Sequence, residues 1–319
     1  MVASAQPRYS LQGLTKSSSF GIFVAFVLLV IGLSIASPTF LTFSNVTDVT
    51  RQAVFIAIIA FGATFVIGMG GIDLSVGANL ALSSLVAAHM MLSGLNVYVA
   101  VVGGLIFGAL VGMINGLLIA KVGITDFIVT MSVMVICRGI INVYTEGIPM
   151  TGLVDPKFQF FGQALLGPFP MPVLITILVF ALCYFLLYKT RFGRYTLSIG
   201  SNTEAARLVG INIPTIKIMV YSFTGLLAAL SGILLTSRLE AAMPEAGGGY
   251  ELDVIAAVVM GGTSLSGGKA SLVGTAIGAI LMAVVRNGLN LLNVNTFWHQ
   301  VVIGSIILVA VAADRFRSK

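Results

Sequence analysis

The stretch Gly262-Thr263-Ser264-Leu265-Ser266-Gly267-Gly268-Lys269-Ala270 has the makings of a phosphate-binding loop, with glycines, hydroxyls and a lysine side by side. Its spacing does not serve that chemistry. A phosphate loop needs a glycine where Thr263 stands, and a Ser or Thr to hold magnesium where Ala270 stands. No HExxH helix, GxSxG elbow, paired-aspartate cluster or zinc-ligand set occurs elsewhere in the chain. Both histidines lack acidic company nearby in sequence, and Cys137 and Cys183 stand far apart inside apolar runs, as free core thiols do. Nucleotide hydrolysis and intramembrane enzyme chemistry are therefore not expected of this chain.

A second set of residues suits recognition. Asn79, Ser83, Ser84, His89, Asn115, Arg138 and Asn142 interrupt otherwise apolar runs. Polar groups in hydrocarbon are expensive and face either a partner helix or an aqueous path. Amide, hydroxyl and guanidinium groups can bond to the hydroxyls of an uncharged ligand. We therefore expect Asn79, Ser83, Asn115, Arg138 and Asn142 to line a substrate pathway, between two chains or through the middle of one. For Arg138 the alternative is an arginine that snorkels to the headgroups.

The elements that position these residues follow from composition. Of 319 residues, 58% are hydrophobic and 9% charged, against roughly 25% charged in an average soluble domain. These proportions exclude both a soluble globule and a disordered chain. At about 20 apolar residues per span, the chain has room for ten crossings and no large extramembrane domain. Apolar runs predict helices over 20–36, 53–69, 76–93, 98–120, 127–143, 172–188, 216–237, 252–260, 271–285 and 297–313. The eighth is too short to span alone, so it is irregular, extended by its flanks, or re-entrant. The expected class is an all-α polytopic membrane protein of about ten transmembrane segments.

With the N-terminus inside, twelve of the seventeen basic residues fall on the cytoplasmic side, among them Arg8, Lys16, Lys121, Lys269, Arg315, Arg317 and Lys319. Most acids fall outside. The positive-inside rule therefore favours both termini in the cytoplasm, and the net charge of +6 needs no nucleic acid to account for it. Residues 1–19 form a cytoplasmic tail and 20–316 a single membrane domain surrounded by lipid. Ser34-Ile35-Ala36 offers a signal-peptidase alternative, which would leave the later spans as drawn. The outer connection 147–171 holds four prolines and reads as a rim. The inner connection 189–217 carries five basic residues and one acid.

Gly104, Gly108, Gly112 and Gly116 recur every fourth residue, a spacing that lets helix backbones approach closely. Gly274 and Gly278 repeat it. Met69–Gly77 and Met260–Gly268 are identical at six of nine positions, in the register Gly70 to Gly261. The echo predicts two related halves, as in many transporters, with structurally equivalent hairpins; convergent glycine-rich turns are the alternative.

At Glu204-Ala205-Ala206-Arg207-Leu208-Val209-Gly210 the chain resembles the E-A-A-x-x-x-G coupling motif of permease subunits in bacterial ABC importers. Gly70-Gly71-Ile72-Asp73-Leu74-Ser75-Val76-Gly77 is similar to the GGIDLSVG signature of the ribose-type permeases. Arg138-Gly139 and Gly249-Tyr250-Glu251-Leu252-Asp253 follow in the same order, and the likeness extends from about Phe20 to Phe316. By this resemblance Gly70, Gly71, Asp73, Ser75 and Gly77, with Gly261, Gly262, Gly267 and Gly268 in the second hairpin, are family-motif positions. Asn202, Glu204, Ala205, Ala206, Arg207 and Gly210 are the expected coupling residues, on a short helix capped by Asn202 and closed by Gly210. Glu204 would complement the helix dipole, Ala205 and Ala206 would fit a groove, and Arg207 would pair with an acid on the partner.

The resemblance implies a permease in a bacterial inner membrane that imports a ribose-like monosaccharide by alternating access. It implies a second, usually identical permease chain, two cytoplasmic ATPase chains holding ATP and magnesium, and a periplasmic or lipid-anchored sugar-binding protein. No cofactor is expected on this chain. Two alternatives stay open: a branched-chain amino-acid permease of the same superfamily, and an ion-coupled secondary transporter using Asp73 or Asp126.

Overall fold

The structure, a computed structural model, describes residues 18–167 and 169–317. The expected tail before residue 18, with Arg8 and Lys16, lies outside the described residues, as do Pro168, Lys319 and the side chains of Arg315 and Arg317. The helices are α1 (Ser18–Ala36), α2 (Phe43–Gly68), α3 (Val76–Leu92), α4 (Val97–Leu117), α5 (Asp126–Thr145), α6 (Pro156–Gln163), α7 (Met171–Lys189), α8 (Arg191–Ser201), α9 (Thr203–Leu208), α10 (Ile213–Leu239), α11 (Tyr250–Met260), α12 (Leu272–Leu291) and α13 (Thr296–Arg317). Ten of them overlie the ten apolar runs. Six are long and apolar enough to cross a membrane: α2, α5, α7, α10, α12, and α4 with its π-helical extension Leu118–Val122.

Helix α2 is the hub, buried along 89% of its apolar stretch where α5 and α7 are buried along 22%. A helix apolar all round can face either other helices or lipid, and α2 is enclosed by other helices. Hydroxyl ties fix its neighbours: Thr64 pairs with Thr275 of α12 at 3.0 Å, and Ser231 of α10 donates to the Phe55 carbonyl at 2.8 Å. The helix begins ten residues before its apolar run, because Thr42 caps it by accepting from the Asn45 N–H. The polar segment from Asn45 to Gln52 is helical too, and periodicity of apolar residues carries no signal there.

The glycine row of α4 packs on α10. A methyl group at Gly112 or Gly116 would run into the backbone of Tyr221 or Ile218, and one at Gly108 into Ala229. On α12, Gly274 and Gly278 meet the carbonyls of Gly261 and Ala257 in α11 the same way. Small residues thus replace apolar burial as the means of close helix packing, which lipid does not otherwise drive.

Helices α8 and α9 mark one end of the bundle and α6 the other. The connection 147–171 is more structured than a bare rim. It holds α6, started by Asp155 and Pro156, and a two-residue strand, Met150–Thr151, paired antiparallel with Ala241–Ala242 beyond α10. A second small ladder joins Leu165–Leu166 to Phe169–Pro170.

Helix α3 starts well inside the bundle. Asn79 in its first turn donates to the carbonyls of Gly108 and Gly225, both near the middle of their helices. The eighth apolar run forms an 11-residue helix, α11, too short to cross. The chain reaches its start as an irregular segment, 240–249, that descends from the α6 end until Gly247 packs against Gly77.

Candidate functional site

Helices α2 and α11 end alike. Gly70 adopts φ +85° and Gly262 φ +89°, the left-handed conformation in which glycine is favoured. The N–H of Gly70 donates to Ile67 and that of Gly71 to Val66; Gly262 donates to Val259 and Thr263 to Val258. The sequence echo paired Gly70 with Gly261, and the structure corrects it by one residue. Gly70 matches Gly262, because the left-handed residue and its bonds set the equivalence, whatever letters flank it.

Beyond the two turns the paths diverge. After Gly71 the chain enters α3 directly, held by three helices. Ile72 donates to Asp126 of α5 at 2.7 Å, its carbonyl accepts from Tyr221 of α10, and Asn115 of α4 donates to Ser75 at 2.8 Å. Asp73 accepts from the Ser75 N–H and hydroxyl. A buried carboxylate is tolerable when so bonded, and both Asp73 and Asp126 have a structural task. After Gly262 the chain makes a longer loop, in which Ser264 donates to the Lys269 carbonyl and Gly267 to Ser264. Gly68, Gly200 and Gly268 then meet at backbone contact: Gly268 donates to Gly68, and a methyl at Gly200 would collide with both. Gly200 is the last glycine of α8, so the helix pair α8–α9 is seated on the junction of the two turns.

The expected short helix stands at Thr203–Leu208. Asn202 caps it by accepting from the Ala205 N–H at 2.9 Å. Gly210 closes it at φ +82°, with Ile211 donating back to Ala206. Arg207 pairs with Glu204 one turn away at 2.9 Å, with both side chains exposed to water, where such a pair is weak and exchanges readily. Ala206 is buried, and the exposed apolar residues are Leu208 and Val209 at 88% and 77%. Apolar periodicity overlooked them because two residues at a helix end make no stripe. Behind α9 a cavity of about 340 Å³ is lined by Gly70, Gly71, Asp126, Lys217 and Tyr221, linking the first turn to the coupling region. A second, of about 310 Å³, shares Lys217 with it and reaches Thr203 and Arg207.

The five residues expected along a pathway do not come together. Asn79, Ser83 and Asn115 are buried: Ser83 donates to Asn79, which clamps α3 to α4 and α10, while Asn115 donates to Ser75 and leaves its side-chain oxygen without a partner among the described residues. A polar side chain in lipid is as well served by a neighbouring helix as by water, and sequence does not distinguish the two. Arg138 and Asn142 are partly or wholly exposed on α5. Arg138 donates to the Pro244 carbonyl at 2.9 Å, and so holds the descending segment. Sequence reasoning also missed the ion pair of Arg286 with Asp253, 2.5 Å apart, in which Asp253 is fully enclosed. Tyr250 lies under the same guanidinium at 5.9 Å.

The thirteen helices of the described residues form a glycine-packed bundle with half-helices that begin inside it and a capped two-helix projection at one end, the architecture of a polytopic membrane protein. Comparison with known proteins agrees. Residues 45–311 match the family described as branched-chain amino acid transport system / permease component. The ribose import permease RbsC of Bacillus subtilis is 48% identical over 299 residues, covering 93% of each chain. RbsC of Escherichia coli K12 is 45% identical, covering 91% of this chain and 92% of that one. The D-allose transport permease AlsC of the same strain is 37% identical, covering 93% and 91%. No solved structure matches. The chain belongs to this family, among the ribose-type ABC importer permeases, and is a multi-pass protein of the inner membrane.

Proposed function

We propose that the chain is the membrane-spanning subunit of an importer that carries a ribose-like monosaccharide into the cytoplasm. The carrying observation is the near full-length identity to permeases named for ribose and allose. Those names favour sugar over the amino-acid alternative. The ion-coupled alternative has less support, because Asp73 and Asp126 both accept backbone N–H bonds.

Ten crossings, the eighth made jointly by segment 240–249 and α11, with both termini in the cytoplasm, remain our reading. Its support is the charge at the α9 end, where Lys189, Arg191, Arg194, Arg207 and Lys217 lie together. The shared termination of α2 and α11 supports two related halves. In this reading two copies of the chain form the pathway, a sugar-binding protein docks at the α6 end, and ATPase subunits holding ATP and magnesium dock at the α9 end. Leu208 and Val209 enter an apolar groove on the ATPase, and closure of the ATPase pair is passed through α9 and α8 to the glycine junction. Glu204 and Arg207 brace α9 while Ala205 faces the partner.

The test is uptake of labelled ribose, allose and leucine by the purified permease reconstituted with its ATPase and binding protein. ATP-dependent uptake of either sugar supports the proposal. Leucine uptake without sugar uptake, or purification without any ATPase, overturns it.

A further inference from the structure

The segment Met243–Gly249 has no regular secondary structure, yet it lies deep in the bundle. Pro244 is held by Arg138, which stands about 18 Å from the start of α5 and about 10 Å from its end, at 1.5 Å per residue. Gly247 packs on Gly77, in the turn of α3 whose Asn79 bonds to the middles of α4 and α10. The segment therefore runs from the outer third of the bundle to about half its height. Its two edges differ. Pro244 and Gly247 are buried against α5 and α3, whereas Met243, Glu245 and Gly248 are exposed.

Hydrocarbon does not accept irregular backbone or a free carboxylate; such segments occur only where protein or water covers them. A sugar pathway supplies that water. We infer that the exposed edge of Met243–Gly249, with Arg138 beside it, is the wall of the translocation pathway and its contact site for a neutral, polyhydroxylated solute. This rests on the proposed sugar import. The chemistry suits the ligand: the exposed Glu245 carboxylate accepts from hydroxyls, and the positive charge of Arg138 offsets it so that no net charge is required of the solute. Gly248, exposed and without a side chain, leaves the backbone itself open to contact. The ion pair of Arg286 with the buried Asp253 and the Arg138–Pro244 bond anchor the wall at its two ends.

The experiment uses spheroplasts expressing the complete transporter, with Cys137→Ala and Cys183→Ala in the permease. Glu245→Cys and Gly248→Cys are compared with Ile106→Cys, on the exposed apolar face of α4. The probe is a charged, membrane-impermeant methanethiosulfonate, and labelling and uptake are both read at equal membrane abundance. If the segment lines an aqueous path, both cysteines react about tenfold faster than Ile106→Cys, because the thiolate forms only in water, and labelling abolishes uptake. Reaction no faster than at Ile106→Cys, or full uptake after complete labelling, overturns the assignment. Rapid labelling and block in a transporter that carries leucine and no sugar would keep the pathway and overturn the sugar reading.

Discussion

The N–H of Gly268 donates to the carbonyl of Gly68 at 2.9 Å, so the two glycine turns are bonded directly to each other. Gly200 of α8 completes the contact with a backbone that has no room for a side chain. A junction with three converging backbones cannot absorb a shift in one without moving the others. Under the proposed function, that property is what a transmission element beneath α9 requires.

Gly200→Leu should therefore destabilise the permease by about 1–3 kcal/mol, the usual cost of overpacking. Thermal unfolding in detergent measures it. Gly139→Leu is the control, since nothing lies within 4 Å of its added methyl. Equal melting of the two variants would remove the junction from the list of tightly packed sites.

The Asp253–Arg286 pair gives a sharper contrast. Asp253→Ala leaves the partly exposed guanidinium of Arg286 without its partner and should cost about 1–3 kcal/mol. Replacing both residues, Asp253→Leu with Arg286→Met, should recover most of that loss. A double variant as unstable as the single one would show that the pair does more than neutralise itself.

Asn79→Ala removes donors to the Gly108 and Gly225 carbonyls and strips the Ser83 hydroxyl of its acceptor. The expected loss is about 1–3 kcal/mol for a buried network, with ribose affinity of the binding protein unchanged. Loss of uptake at unaltered stability would instead favour the pathway role first expected of Asn79.

The α9 predictions separate folding from coupling. Gly210→Val forces a β-branched residue to φ +82° and should displace the helix end. Leu208→Asp should leave α9 intact while weakening its fit to an apolar groove. Both should lower substrate-stimulated ATPase activity and uptake together, with membrane insertion preserved. Wild-type coupling in both would exclude α9 as the transmission element.

Most of the helices, the close-packing glycine face of α4 and the capped α9 were legible in the sequence, because each depends on local rules; that α10 is what packs there was not. Apolar runs at membrane length, glycines at four-residue spacing, and an asparagine three residues before a helix N–H report on the chain segment that contains them. The same locality explains the family-level resemblance, since the GGIDLSVG and E-A-A-x-x-x-G stretches here mark a glycine turn and a capped helix.

What the sequence left open was decided by partners distant along the chain. Asn79 and Arg138 looked alike as polar residues in apolar runs, yet one is enclosed by two helices and the other holds the Pro244 carbonyl. The matching of Gly70 to Gly262 came from hydrogen bonds, and letter identity had misplaced it by one. Segment 240–249 reads as an ordinary loop until the contact of Gly247 with Gly77 draws it into the bundle. In lipid the backbone must satisfy itself locally, so sequence determines where helices form. Which polar groups meet is settled by packing between helices, and only the tertiary structure decides that.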